Sequence, residues 1–314
     1  MTLPFELPVR VAQAQPIAEL PTEFDGAVEP KLDGWRVLLD TERGRVFGRS
    51  GTDLTSRFTD IVEAARSLEP AIIDGELLAV NADGQIEFAK IQSRSPKGPR
   101  SRDTFTMQLA CFDLLAARTT DLRPQPYDVR RSRLLEVLEE STPAVRPVPV
   151  LRDPKQALGW LDTPGVEGVV LKPNTPYRGG EASGWLKWRR RHTVDLIVVG
   201  VTNTEPARQA LVLAQPDPTG RLRTVGVTLP IGAAMRAQIA PLLHPAGDLR
   251  ELPGVVAGLP GSPRVPYVPV SAEIVVEVEA DQDAPREFGR FRHNPRLVRL
   301  RLDVSPADVA PGGR

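Results

Sequence analysis

Short apolar runs broken by Gly, Pro and Asp-Gly turns dominate the chain, a pattern that predicts strands more often than helices. Residues 1–20 are punctuated by proline and are expected to wrap the surface. Strands are predicted over 27–31, 35–39 and 45–48, with turns at Asp33-Gly34 and Arg43-Gly44. Residues 58–68 set Ile61, Val62, Ala65 and Leu68 on one helical face. A buried strand over 71–80 is interrupted at Asp74-Gly75-Glu76; 88–94 reads as a helix, 95–104 as a Pro/Gly/Arg-rich loop and 107–115 as a strand. Residues 127–140 predict a helix with Leu134, Leu135 and Leu138 facing inward, followed by short strands over 166–172 and 184–188.

Past residue 191 the pattern changes. Strands are predicted over 194–201, 210–214, 222–228 and 274–278, with one helix near 232–243 and Pro/Gly-rich connections over 253–269. Such a module suits a small Greek-key barrel of the OB type, although periodicity alone equally allows an SH3-like barrel. The expected fold class is α+β: a mixed or antiparallel-sheet domain over 1–191, an OB-fold β-barrel domain over 192–304, and a flexible tail over 305–314. The length of 314 residues fits two cores, since single cores stop growing near ~250–300 residues.

Charge narrows the picture. Lys plus Arg number 40 and Asp plus Glu 40, so attraction to phosphate must come from local clusters. The single Cys111 excludes an intrachain disulfide, and His192, His244 and His293 are too scattered for a zinc site. No apolar run approaches the ~20 residues that span a bilayer, which predicts a cytoplasmic protein with no membrane partner. Only six of the basic residues are lysines: Lys31, Lys90, Lys97, Lys155, Lys172 and Lys187. Where Arg has replaced Lys nearly everywhere, a retained lysine points to a needed primary amine.

The candidate chemistry begins at Glu29-Pro30-Lys31-Leu32-Asp33-Gly34-Trp35-Arg36, where a lysine ends a strand before a tight turn. Alone, this segment fits a surface hairpin better than a nucleophile. It is followed in order by Arg49-Ser50-Gly51, Asp74-Gly75-Glu76, Phe112-Asp113, Glu167-Gly168-Val169-Val170-Leu171-Lys172 and Trp185-Leu186-Lys187-Trp188-Arg189. The series, covering about 25–303, resembles the nucleotidyltransferase motifs of covalent ligases and capping enzymes, in particular the small two-domain bacterial ATP-dependent DNA ligases. Lys31, Lys172 and Lys187 all fall within it.

The resemblance implies a nucleotidyltransferase (adenylation) domain followed by the OB-fold, sealing 3′-OH/5′-phosphate nicks through a lysyl-AMP. An amine can hold AMP as a phosphoramidate where a guanidinium, always protonated, cannot. Lys31 would be the nucleophile, with Asp33 shaping the turn and orienting the amine or metal waters. Lys172, Lys187 and Arg189 would supply positive charge to the amine's surroundings and to the α-phosphate. Glu29 would meet the adenine edge and Phe112 its face, while Arg36 and Arg49 would lie beside the ribose and the nick phosphate. Glu167 would hold Mg2+ (or Mn2+), and Glu76 the ribose or the metal, since magnesium needs only one or two carboxylates. Isolated strand-end acids such as these read equally well as solvated side chains, and Trp35, Trp185 and Trp188 read as packing residues.

Near the C-terminus Arg286, Arg290, Arg292, Arg296, Arg299 and Arg301 form a basic stripe opposed by Glu287. It reads as a track for DNA phosphates or pyrophosphate, with Arg290, Arg292, Arg299, Arg301 and Asp303 as contacts, or as a solvated strand edge. The family's last motif ends in lysine, whereas Val304 follows Arg301-Leu302-Asp303 here. The expected partners are ATP and nicked duplex DNA, in repair or end joining with end-binding or polymerase proteins, for a monomer. An RNA ligase, a guanylyltransferase and a nick-binding protein impaired in self-adenylation are the alternatives.

Overall fold

The computed structural model describes residues 2–190, 192–202, 205–252, 264–280, 290–291 and 293–312. The chain is mixed α+β, rich in sheet, and divides into two compact units, Met1–Arg190 and Arg191–Arg314. Among the described residues no helix is long and apolar enough to cross a membrane.

The first unit comprises β1 (Gln15–Pro16), β2 (Gly26–Leu32), β3 (Trp35–Asp40), β4 (Arg45–Gly48), α1 (Thr59–Ala64), β5 (Ala71–Asn81), α2 (Phe88–Ser93), β6 (Phe105–Ala117), β7 (Thr120–Asp121), α3 (Tyr127–Val137), β8 (Val145–Pro147), α4 (Pro154–Ala157), β9 (Val166–Pro173) and β10 (Leu186–Arg189). One sheet runs β1-β10-β9-β2; the other runs β4-β3-β5-β6-β7, with β8 on β6. Strand alternation gives the second sheet two buried faces. Val37, Leu39, Ile73 and Leu77 pack against Ile61, Ile91 and Leu134 from the helices. Leu38, Ile72 and Leu115 pack on the other side against Leu3, Val11, Tyr177 and Trp185. Burial on both faces explains the near-continuous apolar runs of β5 and β6.

Several expectations change here. The N-terminal stretch does not merely wrap the surface: Leu3, Val11 and Ala12 are buried, and β1 pairs with β10. The helix predicted over 58–68 is only α1, and Leu135 on α3 is 45% exposed while Leu134 is buried. β5 runs unbroken through Asp74, with register shifts at 72/73 and 74/75 that absorb the polar triplet.

The second unit contains β11 (His192–Thr202), β12 (Leu211–Pro216), β13 (Leu222–Val227), α5 (Ala233–Ile239), β14 (Arg250–Leu252), β15 (Val265–Ala280) and β16 (Arg296–Leu300). Its sheet runs β13-β12-β11-β15-β14, with β16 also on β15. β15 is far longer than predicted because Pro266 and Pro269, read as loop signals, lie in the ladder; the ladder jumps from Ile274 to Pro269 opposite Val198 and Gly200. The expected flexible tail is tied down through residue 312. Ser305 and Asp308 form a capping box, Val309 packs with Ile197 and Val275, and the Gly312 N–H donates to the Pro216 carbonyl.

Asp113 and Arg130, both fully buried, form a two-point pair at 2.7 and 2.9 Å, and Arg130 Nη1 donates to the Gln125 and Thr175 carbonyls. Removing one partner strands a charge in the core. Asp113→Ala is expected to lower stability by about 3–5 kcal/mol in urea unfolding, and an unchanged midpoint would contradict this.

Candidate active site

Three neighbouring strands set the site through their register. Lys31 on β2 lies opposite Gly168 on β9, which lies opposite Arg189 on β10. Lys31 and Leu32 pair with Gly168 and Val166, so Glu167 is the extra residue of a bulge. A bulge re-aims its side chain. Simple alternation would turn Glu167 to the other face; its carboxylate instead pairs with the Lys31 ammonium, and at 3.1 Å with Arg189. Gly168 is required by contact rather than by φ, since a Cβ there would lie 2.0 Å from the Trp188 carbonyl oxygen.

Alternating residues of these strands, Glu29, Lys31, Val170, Lys172, Lys187 and Arg189, line a cavity of about 790 Å³. That is within the ~300–1,000 Å³ of small-molecule sites. Arg49 and Glu76 also line it, and the N-terminal stretch adds Gln13 and Ala14. Lys187 and Arg49 form no ion pair among the described residues. Burial, then the nearby Arg189, Lys31 and Arg49, hold the Lys187 ammonium below its ordinary range. Burial pushes the Glu76 carboxyl up to about 8, against the pull of Lys31 and Arg36.

The floor carries no free charge. The Tyr127 hydroxyl donates to Glu29 at 2.5 Å, and Lys172 Nζ reaches Glu29 at 2.7 Å and the Phe112 carbonyl at 2.9 Å. Burial pushes Glu29 up and Lys172 down, each opposed chiefly by the other. Phe112 is half-buried at the cavity wall, edge-on to Trp185, with Lys172 Nζ 4.4 Å from its ring centre. Lys172 therefore departs from its expected place beside the nucleophile. It pairs opposite Ala27, four residues from Lys31, and its charge is held by Glu29.

Arg36 departs as well. Its fork is taken by Asp74 at 2.9 and 2.6 Å and by the Ala12 carbonyl, and Tyr177 donates to the same Asp74 at 2.7 Å. Held so, its guanidinium lies 5.2 Å from the Phe112 ring centre, lining the cavity without a free edge for a phosphate. Trp35 and Trp185, expected only to pack, line the cavity too. Asp33 lies in the turn after β2, its N–H donating to the Gly165 carbonyl. Asp74 was read only as part of the Asp74-Gly75-Glu76 motif, and neither it nor Tyr127 or Tyr177 was given a role as a buried partner; a carboxylate inside the apolar run of β5 was the available signal.

Two arginines of the basic stripe are not free cations, and Arg286 lies outside the described residues. Arg299 pairs with Glu277 on the adjacent strand, and Arg301 binds Asp195 at 2.9 and 2.8 Å and Asp303 at 3.0 Å. β15 places Glu277 opposite Arg299 and Glu279 opposite Arg296, while Arg301 is held by Asp195 of β11 and by Asp303. Arg290 is half-buried at a bend, and Arg292 lies outside the described residues. Val304 packs beside Ile197, Val275 and Val309.

Residues 8–189 match the family described as ATP dependent DNA ligase domain. A "probable DNA ligase" of Anaeromyxobacter dehalogenans is 32% identical over 310 residues, which cover 91% of this chain and 57% of that protein. DNA ligase C of Mycobacterium tuberculosis is 27% identical over 340 residues, 98% of this chain and 93% of that protein. A solved structure from a structure–function study of Lig E DNA ligases shares the fold, with a TM-score of 0.58, 16% identity, and coverage of 94% of this chain and 100% of that one. This chain thus spans little more than half of the first of these relatives. With more than half its length matched, it belongs to the family of ATP-dependent DNA ligase domains.

Proposed function

We propose that this chain is an ATP-dependent DNA ligase that seals nicks through an AMP carried on Lys31, with the first unit as nucleotidyltransferase domain and the second as OB-fold domain. One observation carries the reading: the Lys31 amine stands in a nucleotide-sized cavity, bonded to Glu167 and flanked by Lys187 and Arg189. In the first step Nζ attacks the α-phosphorus of ATP, the bond to the β-phosphate oxygen breaks, and pyrophosphate leaves. Glu167, hydrogen-bonded to Nζ, is placed to hold the proton released. Lys187 and Arg49, without carboxylate partners among the described residues, meet the charge that develops on the phosphates. Glu29 and Lys172 offer an acceptor and a donor to a base edge beside the Phe112 ring. AMP then passes to the 5′-phosphate of a nick, and the 3′-hydroxyl displaces it.

The donor set fits a divalent ion. Glu167 meets the Lys31 amine directly, and the half-buried Glu76 lines the same cavity. Glu167 and Glu76 would hold magnesium or manganese, which when bound neutralises charge on phosphate oxygens. A second reading concerns rate. The family resemblance gives the last motif's lysine a part in orienting the departing pyrophosphate; with Val304 in its place in the packed cluster and Arg301 committed to Asp195 and Asp303, self-adenylation is handicapped relative to the later steps.

Incubation with labelled ATP and magnesium is expected to leave a lysine-linked AMP that Lys31→Ala abolishes; an undiminished adduct in the variant refutes the assignment. A chain that seals pre-adenylated nicks at least ~10-fold faster than it charges itself supports the second reading, and equal rates remove it. Glu76 gives a pH test without nucleotide. Its folded pKa of about 8 exceeds the ordinary 4.5, so its contribution to stability is fully present below 4.5 and is lost as pH climbs towards 8. Glu76→Gln should match the parent in urea near pH 4.5 and resist urea better at pH 8. Equal midpoints at pH 8 would contradict a raised carboxyl.

A further inference from the structure

Between α2 and β6 the chain crosses a segment that plays no part in the nucleotide cavity. It carries Arg94, Lys97, Arg100 and Arg102 against the single Asp103. It contributes almost nothing apolar to the core, yet hydrogen bonds and ion pairs tie it down. Arg94 is buried and pairs with Asp60 at 2.5 Å and Asp103 at 3.5 Å. Ser95 Oγ accepts from the Lys97 N–H, and the Gly98 N–H donates to the Ser95 carbonyl, closing one turn. Gly98 has φ +97 and no room to spare: a Cβ would lie 3.1 Å from Thr59 Oγ1 and 3.3 Å from the Ser56 carbonyl. Asp103 accepts from the Arg100 N–H at 2.9 Å and closes a second turn.

These two turns push Lys97, Arg100 and Arg102 into solvent, and none of the three has a carboxylate partner among the described residues. Elsewhere in this unit some exposed arginines are paired, as Arg45 is with Asp53, Arg66 with Glu63 and Arg118 with Glu69. Holding three like charges on one short loop opposes itself unless a polyanion meets them. The loop is also anchored to the cavity's rim. Thr52 and Leu54 line the cavity, and the 3₁₀ turn Thr55–Arg57 follows at once. From that turn Ser56 Oγ donates to the Pro96 carbonyl at 3.0 Å and Arg57 donates to the Gln92 carbonyl at 2.7 Å. Arg57 in turn lies 4.8 Å from the ring centre of Trp35, a cavity residue.

We infer that the 95–104 loop is an anchored arm that grips the phosphate backbone of duplex DNA flanking the nick, through Lys97, Arg100 and Arg102. The inference rests on the ligase reading and names a binding surface for its substrate. Backbone contacts of this kind position the duplex without reading its sequence. They should matter for DNA steps and not for charging Lys31, because the arm lies outside the nucleotide cavity.

The test compares the parent, Lys97→Ala/Arg100→Ala/Arg102→Ala and the charge-keeping Lys97→Arg/Arg100→Lys/Arg102→Lys. Affinity for a nicked 5′-phosphorylated duplex is measured by fluorescence anisotropy across a salt series, with lysyl-AMP formation from ATP alongside. The alanine variant is expected to bind at least ~10-fold more weakly at 0.15 M salt (roughly physiological), with a log–log salt slope shallower by about 0.9 for each phosphate it no longer neutralises. Its AMP labelling should equal the parent's, and the charge-keeping variant should bind within about twofold of the parent. Parental affinity and slope in the alanine variant overturn the arm. Failure of the parent itself to take AMP from ATP sinks the ligase reading instead, and the two failures are thereby distinct.

Discussion

Everything in the site depends on how closely β10 can approach β9 at Gly168. With no Cβ between the strands, the Trp188 carbonyl closes to a distance no side chain would allow. That approach aligns Lys31, Gly168 and Arg189 in one row across three strands. The neighbouring bulge then turns Glu167 onto the face its position in the strand would deny it. An amine, a carboxylate and a guanidinium thus meet without any long-range adjustment of loops.

Charge is distributed in depth. At the floor Glu29 and Lys172 cancel each other, with Tyr127 completing the carboxylate's bonding. A floor whose charges cancel suits a base, whose polar edge is uncharged. At the mouth Lys187 and Arg49 have no such partners among the described residues, which suits a triphosphate. Arg36 belongs to neither layer, because Asp74 and the Ala12 carbonyl hold it in place as part of the wall. Buried pairs of this sort are better regarded as devices that fix geometry than as sources of stability.

Much of the first unit was legible in the sequence because its strands are short and end at Asp-Gly or Gly turns, as β2 to β4 do. The motif order also placed Lys31, Glu167, Lys187 and Arg189 in one cluster. What escaped was whatever depends on partners distant in sequence. Nothing local to Arg36 or Lys172 says that Asp74 and Glu29 will claim their charges. Likewise Arg299 looks free in sequence and Arg301 shows only the adjacent Asp303; pairing of β16 with β15 brings Glu277 to the first, and the reach to Asp195 adds the second's other acid. The prolines of β15 and the buried Val309 misled for a related reason, since a residue type associated with loops or tails was overruled by the sheet around it.

Substituting alanine for Gly168 tests the account most directly, read out as the rate at which residue 31 takes AMP from ATP in a variant that retains its far-UV circular dichroism. The added methyl should displace β10 from β9 and move Arg189 and Lys187 away from the amine. A misplacement of about 1 Å can cost ~10²-fold, and a loss of that order is the predicted result. Labelling at the parental rate would contradict the view that this close strand approach assembles the site.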